Sequence, residues 1–250
     1  MAYYFASDVH LGLTYNGADP RERERRFVAW LAAVEDDCEG LFLVGDIFDF
    51  WFEYKRVVPK GFVRTLGKLA EFCDRGIPVH FFTGNHDLWI RDYFENEIGM
   101  TVHTAPEVFE LHGETVFIAH GDGLGKTGDW KYSLLRRIFH SGFLKRFFSA
   151  VLHPNVMMRF GHWWSSHNRH GRKKGVAHVF RGEEEPVVRF ARVYIAEHPQ
   201  TSYLVCGHIH TPVVHRLSDR SNVVVLGEWI ERPFYGRLAG DGKGMELIEF

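Results

Sequence analysis

Three cysteines, Cys38, Cys73 and Cys206, are too few and too scattered for a disulfide framework, and none forms a C-x-x-C pair. They read as reduced thiols of a cytosolic protein. No stretch approaches the roughly 18 consecutive apolar residues of a membrane-spanning helix. A basic leader is also missing, and the chain opens directly on a strand-like run, so export through a signal peptide is not expected. There is no internal repeat and no low-complexity linker. The net charge of −2 leaves whole-molecule charge silent about partners. What is present is an ordinary globular composition, 45% hydrophobic and 25% charged, with enough apolar surface to exclude disorder. Aromatics reach 15%, and the 16 histidines matter because imidazole is the commonest metal-binding side chain.

Five short apolar runs, 2–7, 40–44, 77–83, 115–119 and 203–206, are rich in Val, Ile, Phe and Tyr and too short for helices. Each ends in a polar tip: Asp8-Val9-His10, Gly45-Asp46-Ile47-Phe48-Asp49, Gly84-Asn85-His86-Asp87, His120-Gly121-Asp122-Gly123 and Gly207-His208-Ile209-His210. Residues 21–36 and 62–75 carry helical apolar stripes, Phe27, Trp30, Leu31 and Val34 in one and Phe62, Leu66, Leu69 and Phe72 in the other. Strand–helix alternation predicts an α/β layered fold, and ligands in such sheets gather at the carboxyl ends of strands. Segments 211–217, 223–226 and 245–250 read as antiparallel strands, a second sheet packed on the first.

Residues 126–174 stand apart. They hold 11 Lys or Arg against one acidic residue, Asp129, in a chain whose net charge is negative. Phe143, Leu144, Phe147, Phe148, Val151 and Leu152 fall on one helical face that Pro154 should end, and Phe160, Trp163 and Trp164 follow. The segment reads as a helical cap inserted into a body formed by 1–125 and 175–250. Its cations suit an anionic partner, a solvated helix face or an anionic membrane surface.

The polar tips together offer Asp8, His10, Asp46, Asn85, His120, His208 and His210. This mixture of carboxylate, imidazole and amide oxygen suits divalent ions such as Mn²⁺ and Fe²⁺. If the strand geometry continues into the first tip, Asp8 and His10 share one side and reach one ion together. Two ions sharing a carboxylate would clamp the attacking and leaving oxygens of a phosphoryl transfer.

These five tips, in this order, resemble the full signature of the calcineurin-like metallophosphoesterases. The resemblance spans residues 8–210 and implies an α/β four-layer fold, a two-sheet β-sandwich flanked by helices. It implies one metal at Asp8, His10, Asp46 and His210, and a second at Asp46, Asn85, His120 and His208, with Asp46 as the bridge. His86 would stabilise charge on the phosphoryl oxygens, and Asp87 would orient His86 or another ligand. All seven ligand positions hold ligating side chains, which argues against a non-catalytic scaffold of the same fold.

A narrower resemblance runs through His120-Gly121-Asp122-Gly123-Leu124-Gly125, Asp129-x-x-Tyr132 and Leu226-Gly227-Glu228-Trp229. It is similar to the UDP-2,3-diacylglucosamine hydrolases of lipid A biosynthesis, which release UMP and leave 2,3-diacylglucosamine 1-phosphate (lipid X). By that resemblance Asp129, Tyr132, Ser166 and Lys173 contact substrate. His86 stands where the hydrolase proper carries Arg, and Arg169 or Lys173 would supply the missing cation. The implied cofactors are two divalent ions, Mn²⁺ foremost with Fe²⁺ or Zn²⁺ as alternatives. The implied partner is a lipid-linked UDP-sugar drawn from the cytoplasmic face of the inner membrane, with the protein peripheral there. Another phosphodiester or phosphomonoester is the alternative substrate. No nucleic-acid motif is present, and the sequence leaves the oligomeric state open.

Overall fold

The structure is a computed structural model that describes residues 1–125, 142–170 and 179–250, except the side chains of 142–146, 162, 164 and 166–170. In chain order its principal elements are β1 (Ala2–Ala6), α1 (Pro20–Val34), β2 (Cys38–Val44), α2 (Val63–Asp74), β3 (Val79–Phe82), β4 (Thr101–His103), β5 (Glu107–Leu111), β6 (Glu114–Ile118), α3 (Gly142–Val151), α4 (Pro154–His170), α5 (Pro186–Glu197), β7 (Thr201–Cys206), β8 (Val213–Arg216), β9 (Asn222–Val225), β10 (Phe234–Ala239) and β11 (Met245–Glu249).

Why these segments pair as they do is visible in β2. Both of its faces are buried, so it reads as a continuous apolar run rather than an alternating one. Leu41 and Leu43 face α1 and α2, meeting Phe27, Trp30, Leu31, Leu66, Leu69 and Phe72. Phe42 and Val44 point the other way, into a core shared with Val116, Ile118, Val205 and Val224 of the other sheet. The first sheet has the order β11-β10-β1-β2-β3-β4, with β1 to β4 parallel and β10 and β11 antiparallel. The second has the order β5-β6-β7-β9-β8, with β6, β7 and β9 parallel. On its outer face α5 buries Val187, Val188 and Ala191 against Phe117, Leu204 and Val223. Helix, sheet, sheet and helix make the four layers expected of the α/β fold.

Two details depart from the sequence reading. The C-terminal strands do not form a sheet of their own: β8 and β9 join the second sheet, while β10 and β11 extend the first through β1. Pro154 does not close the apolar helix either. That helix, α3, ends at Val151, and Pro154 opens α4, where a residue without an N–H is tolerated in the first turn. Phe148, Leu152 and Met157 of α3, α4 and their junction pack on Phe50, Phe52, Tyr54, Leu88 and Trp89 of the body.

Candidate active site

All five polar tips lie just past the carboxyl ends of β1, β2, β3, β6 and β7. Because these strands run parallel within their sheets, their ends emerge along one edge of the sandwich. Hydrogen bonds tie the tips together: Asp8 N donates to Gly45 O, His10 N to Asp46 O and Gly207 N to His120 O.

The side chains converge by strained backbone rather than by strand pleating. The strand ends at Ala6, and Asp8 and His10 both sit at positive φ, 51° and 48°. The expected strand-like alternation at this tip is therefore replaced by two left-handed kinks. Asp46, His208 and His210 share that conformation, at 53°, 67° and 66°. Each such residue costs of order 1–3 kcal/mol and persists only where its surroundings over-determine it. Here the surroundings are rigid, since fully burying one Phe or Leu is worth about 1.5–3 kcal/mol, and Phe5, Phe42, Phe48 and Phe81 are all buried beside the tips. Gly45, at φ 79°, makes room for the site: a Cβ there would fall 2.5 Å from His120 Nδ1.

Asp46 stands at the centre. Its Oδ2 lies 3.4 Å from His120 Nε2 and 4.0 Å from both His10 Nε2 and His86 Nε2. Asp8 Oδ1 lies 3.3 Å from His210 Nε2 and 3.8 Å from His10 Nε2. His208 Nδ1 is 3.1 Å from Asn85 Oδ1, and the His208 amide donates to Asp8 Oδ2 at 2.8 Å. The imidazoles fall into two pairs: His10 stacks on His210 with centroids 5.3 Å apart, and His120 meets His208 edge-on at 5.4 Å. Five of the expected ligands thus form two carboxylate–imidazole triads that share Asp8, Asp8 with His10 and His210 and Asp8 with Asp46 and His120, and Asn85 closes on the fourth histidine, His208.

The electrostatics are those of a cation site. Burial alone would raise the carboxylate pKa values, yet His210 and His10 hold Asp8 well below its ordinary value, and His120 and His86 do the same for Asp46. Conversely, burial would lower His10, but Asp49, Asp8 and Asp46 raise it to about 9, and Asp46 raises His120. The carboxylates draw protons onto imidazoles that a dication would displace. Asp8 Oδ1, His10 Nε2 and His120 Nε2 are buried without a hydrogen-bond partner among the described residues. Native proteins seldom leave such atoms unsatisfied, and divalent ions fit this donor set. His120 Nδ1 donates to Val44 O at 2.9 Å, which fixes the tautomer and aims Nε2 inward.

His86 is half-buried, donates from Nδ1 to Asp49 O at 2.8 Å, and its pKa is lowered by burial. Asp87 does not touch its neighbour's ring. Its carboxylate accepts from the amides of Asp46, Ile47, Phe48 and Gly84, so it orders the loop that presents Asp46. Burial and the Asp46 charge raise its pKa to about 7. Asp129, Tyr132 and Lys173, with the side chains of Ser166 and Arg169, lie outside the described residues. Two residues absent from the sequence-based site belong to it. Ser7 Oγ donates to Asp8 Oδ2 at 2.8 Å, and Asp49 Oδ1 faces His10 Nδ1 at 3.4 Å. The second was within reach, because Asp49 stands in the Gly45-Asp46 tip.

The chain belongs to the calcineurin-like phosphoesterases, whose family matches residues 1–212. With this cluster of ligating side chains, it is a metal-dependent hydrolase of phosphoric esters or anhydrides built around a dinuclear site. It is 36% identical over 256 residues to the UDP-2,3-diacylglucosamine hydrolase of Porphyromonas gingivalis, covering 98% of this chain and 97% of that protein. To the enzyme of the same description from Escherichia coli O6:H1 it is 28% identical, over 100% of this chain and 99% of that one. The fold also matches a dimetal phosphatase from Danio rerio at a TM-score of 0.51 and 13% identity, over 99% and 95% of the two chains.

Proposed function

We propose that the protein hydrolyses the diphosphate of UDP-2,3-diacylglucosamine to UMP and 2,3-diacylglucosamine 1-phosphate, a step of lipid A biosynthesis. The observation that carries the substrate is the apolar cluster that joins the cap to the body beside the metal-ligating tips. Phe50, Phe52, Tyr54, Leu88 and Trp89 follow directly on the Asp46 and Asn85 tips and meet Phe148, Leu152 and Met157 of α3, α4 and their junction. A diacylated sugar diphosphate needs anion-binding chemistry and apolar surface within one substrate length, and each buried CH₂ is worth about 0.8 kcal/mol. The names of the full-length relatives point the same way.

In this reading Asp8, His10, Asp46 and His210 would hold one ion, and Asp46, Asn85, His120 and His208 the other. The pairing of His10 with His210 and of His120 with His208 supports that division. Two bound divalent ions would supply an activated water and neutralise charge on the phosphoryl oxygens; Mn²⁺, Fe²⁺ and Zn²⁺ all suit the nitrogen and oxygen donors, and Mn²⁺ is the ion we propose. Neutral His86, with its Nδ1 proton committed to Asp49 O, presents a lone pair at Nε2. It would accept there the proton lost by the attacking water and, once protonated, donate it to the leaving-group oxygen. Asp87 keeps the Asp46 loop in register.

The described cap helices leave Phe147, Val151, Val156, Phe160 and Trp163 exposed, and no described helix is long and apolar enough to cross a membrane. These exposed side chains support peripheral contact with the cytoplasmic face of the inner membrane, from which a lipid substrate is drawn to the cap. The body of 1–125 and 175–250 supplies the chemistry in this scheme, and the cap of 126–174 supplies the lipid contacts, with Asp129, Tyr132, Ser166, Arg169 and Lys173 meeting the polar part. Turnover of UDP-2,3-diacylglucosamine, UDP-glucosamine and bis-p-nitrophenyl phosphate, compared side by side, tests the assignment. Preference for the diacylated substrate is expected. Equal or better turnover of the unacylated compounds would refute it.

A further inference from the structure

We propose that Ser165 is a positioning residue of the active site, through which helix α4 of the cap holds the Asp49 carboxylate against His10. Ser165 is 1% exposed and its Oγ lies 2.9 Å from each oxygen of Asp49, a residue 116 positions away in sequence. Asp49 is itself buried and reaches three parts of the site: its Oδ1 faces His10 Nδ1 at 3.4 Å, its carbonyl accepts from His86 Nδ1, and its amide donates to Leu11 O. The orientation of that carboxylate therefore sets the direction of the His10 ring, and with it the aim of Nε2 towards Asp8 and Asp46.

Helix α4 is shaped for this contact. Met157, Gly161 and Ser165 recur every fourth residue and are buried on the side facing the body. Gly161 lies against the Phe50 ring so closely that any Cβ would overlap it. A helix seated at that distance brings the next residue of the stripe, one turn on, to Asp49. A Ser in a stripe otherwise made of Met and Gly is the polar group that packing alone does not require. The relay deepens the proposed function by making the metal side of the site depend on how the cap is seated.

The test compares wild type with S165A, S165T and G161A, and repeats S165A in a D49N background. Histidine ¹H–¹⁵N NMR, with His10 Nδ1 assigned by its loss in H10N, reads the relay without any metal. S165A and G161A are expected to shift that resonance and S165T to restore it. Titration with Mn²⁺ is expected to show roughly 10- to 100-fold weaker binding in S165A and less than twofold further change when S165A is added to D49N. A His10 resonance unmoved by S165A, or an equal loss of affinity in both backgrounds, would overturn the proposal in favour of a packing role. Wild-type protein that binds no Mn²⁺ would defeat the two-ion reading instead, and the His10 resonance would still decide the part Ser165 plays.

Discussion

Asp46→Asn removes one charge and almost no volume, so it isolates the electrostatic part of the site. The Asp46 carboxylate is buried at 2% exposure, and its Oδ2 lies 3.4–4.0 Å from three imidazole nitrogens. That spacing sets the scale. Two unit charges 4 Å apart interact by about 4 kcal/mol at an effective dielectric of 20, and a tenfold change in binding is about 1.4 kcal/mol. Because a divalent ion carries twice the charge, removing the carboxylate charge should weaken the hold on it by at least about three orders of magnitude, and on both ions if the carboxylate bridges them. Isothermal titration with Mn²⁺ and turnover of bis-p-nitrophenyl phosphate read this directly. Folding should survive, because the amide still offers an oxygen to the His86 N–H, which donates to Oδ1 at 2.9 Å. If D46N binds two ions with affinity within tenfold of wild type and keeps its turnover, the bridging role is wrong.

Gly45→Ala places a methyl 2.5 Å from His120 Nδ1 at a φ of 79°, so a loss of about 1–3 kcal/mol and displacement of His120 are expected, read by urea melts and metal titration. Asp87→Ala strips the acceptor from four backbone amides and should cost about 3 kcal/mol or more, with secondary structure by circular dichroism unchanged in what remains folded. His80 has its pKa lowered to about 4, first by burial and then by His103, whose Nε2 lies 3.0 Å from its Nδ1. Since an unfolded histidine titrates near 6.5, the unfolded chain binds more protons between those values, and stability falls as pH drops from about 6.5 towards 4. Melts of H80Q should show a shallower fall through that window. Phe148→Ala removes the ring that packs on Trp89, with centroids 5.9 Å apart, and should slow turnover of UDP-2,3-diacylglucosamine far more than that of bis-p-nitrophenyl phosphate.

The parts of this molecule legible in its sequence are those with both a pattern and a local reason. Strand β2 announces itself because both its faces are buried, and the five tips because ligating side chains interrupt apolar runs. Strand β4 has three residues, and β5 sets Glu107 and Glu110 three apart around an exposed Val108 and a half-buried Phe109, so neither gives a period to read. Strand β10 carries Gly236 and Arg237 at its middle, and α5 mixes β-branched residues with arginines after a run of three glutamates. Two features of the site were beyond any local pattern. The left-handed turns at Asp8 and His10 are imposed by neighbouring tips through bonds such as Asp8 N to Gly45 O. The contact of Ser165 with Asp49 joins segments that meet only once the cap is seated. Asp87 is legible only in part: the motif offers His86 or another ligand as what it orients, and the fold sets it on the loop of Asp46.

Anomalous diffraction from crystals grown with Mn²⁺ measures the central claim most directly. Two peaks roughly 3.5–4 Å apart on either side of the Asp46 carboxylate, one against His10 and His210 and the other against His120 and His208, are the expected result. A single peak, or density remote from Asp46, would contradict it.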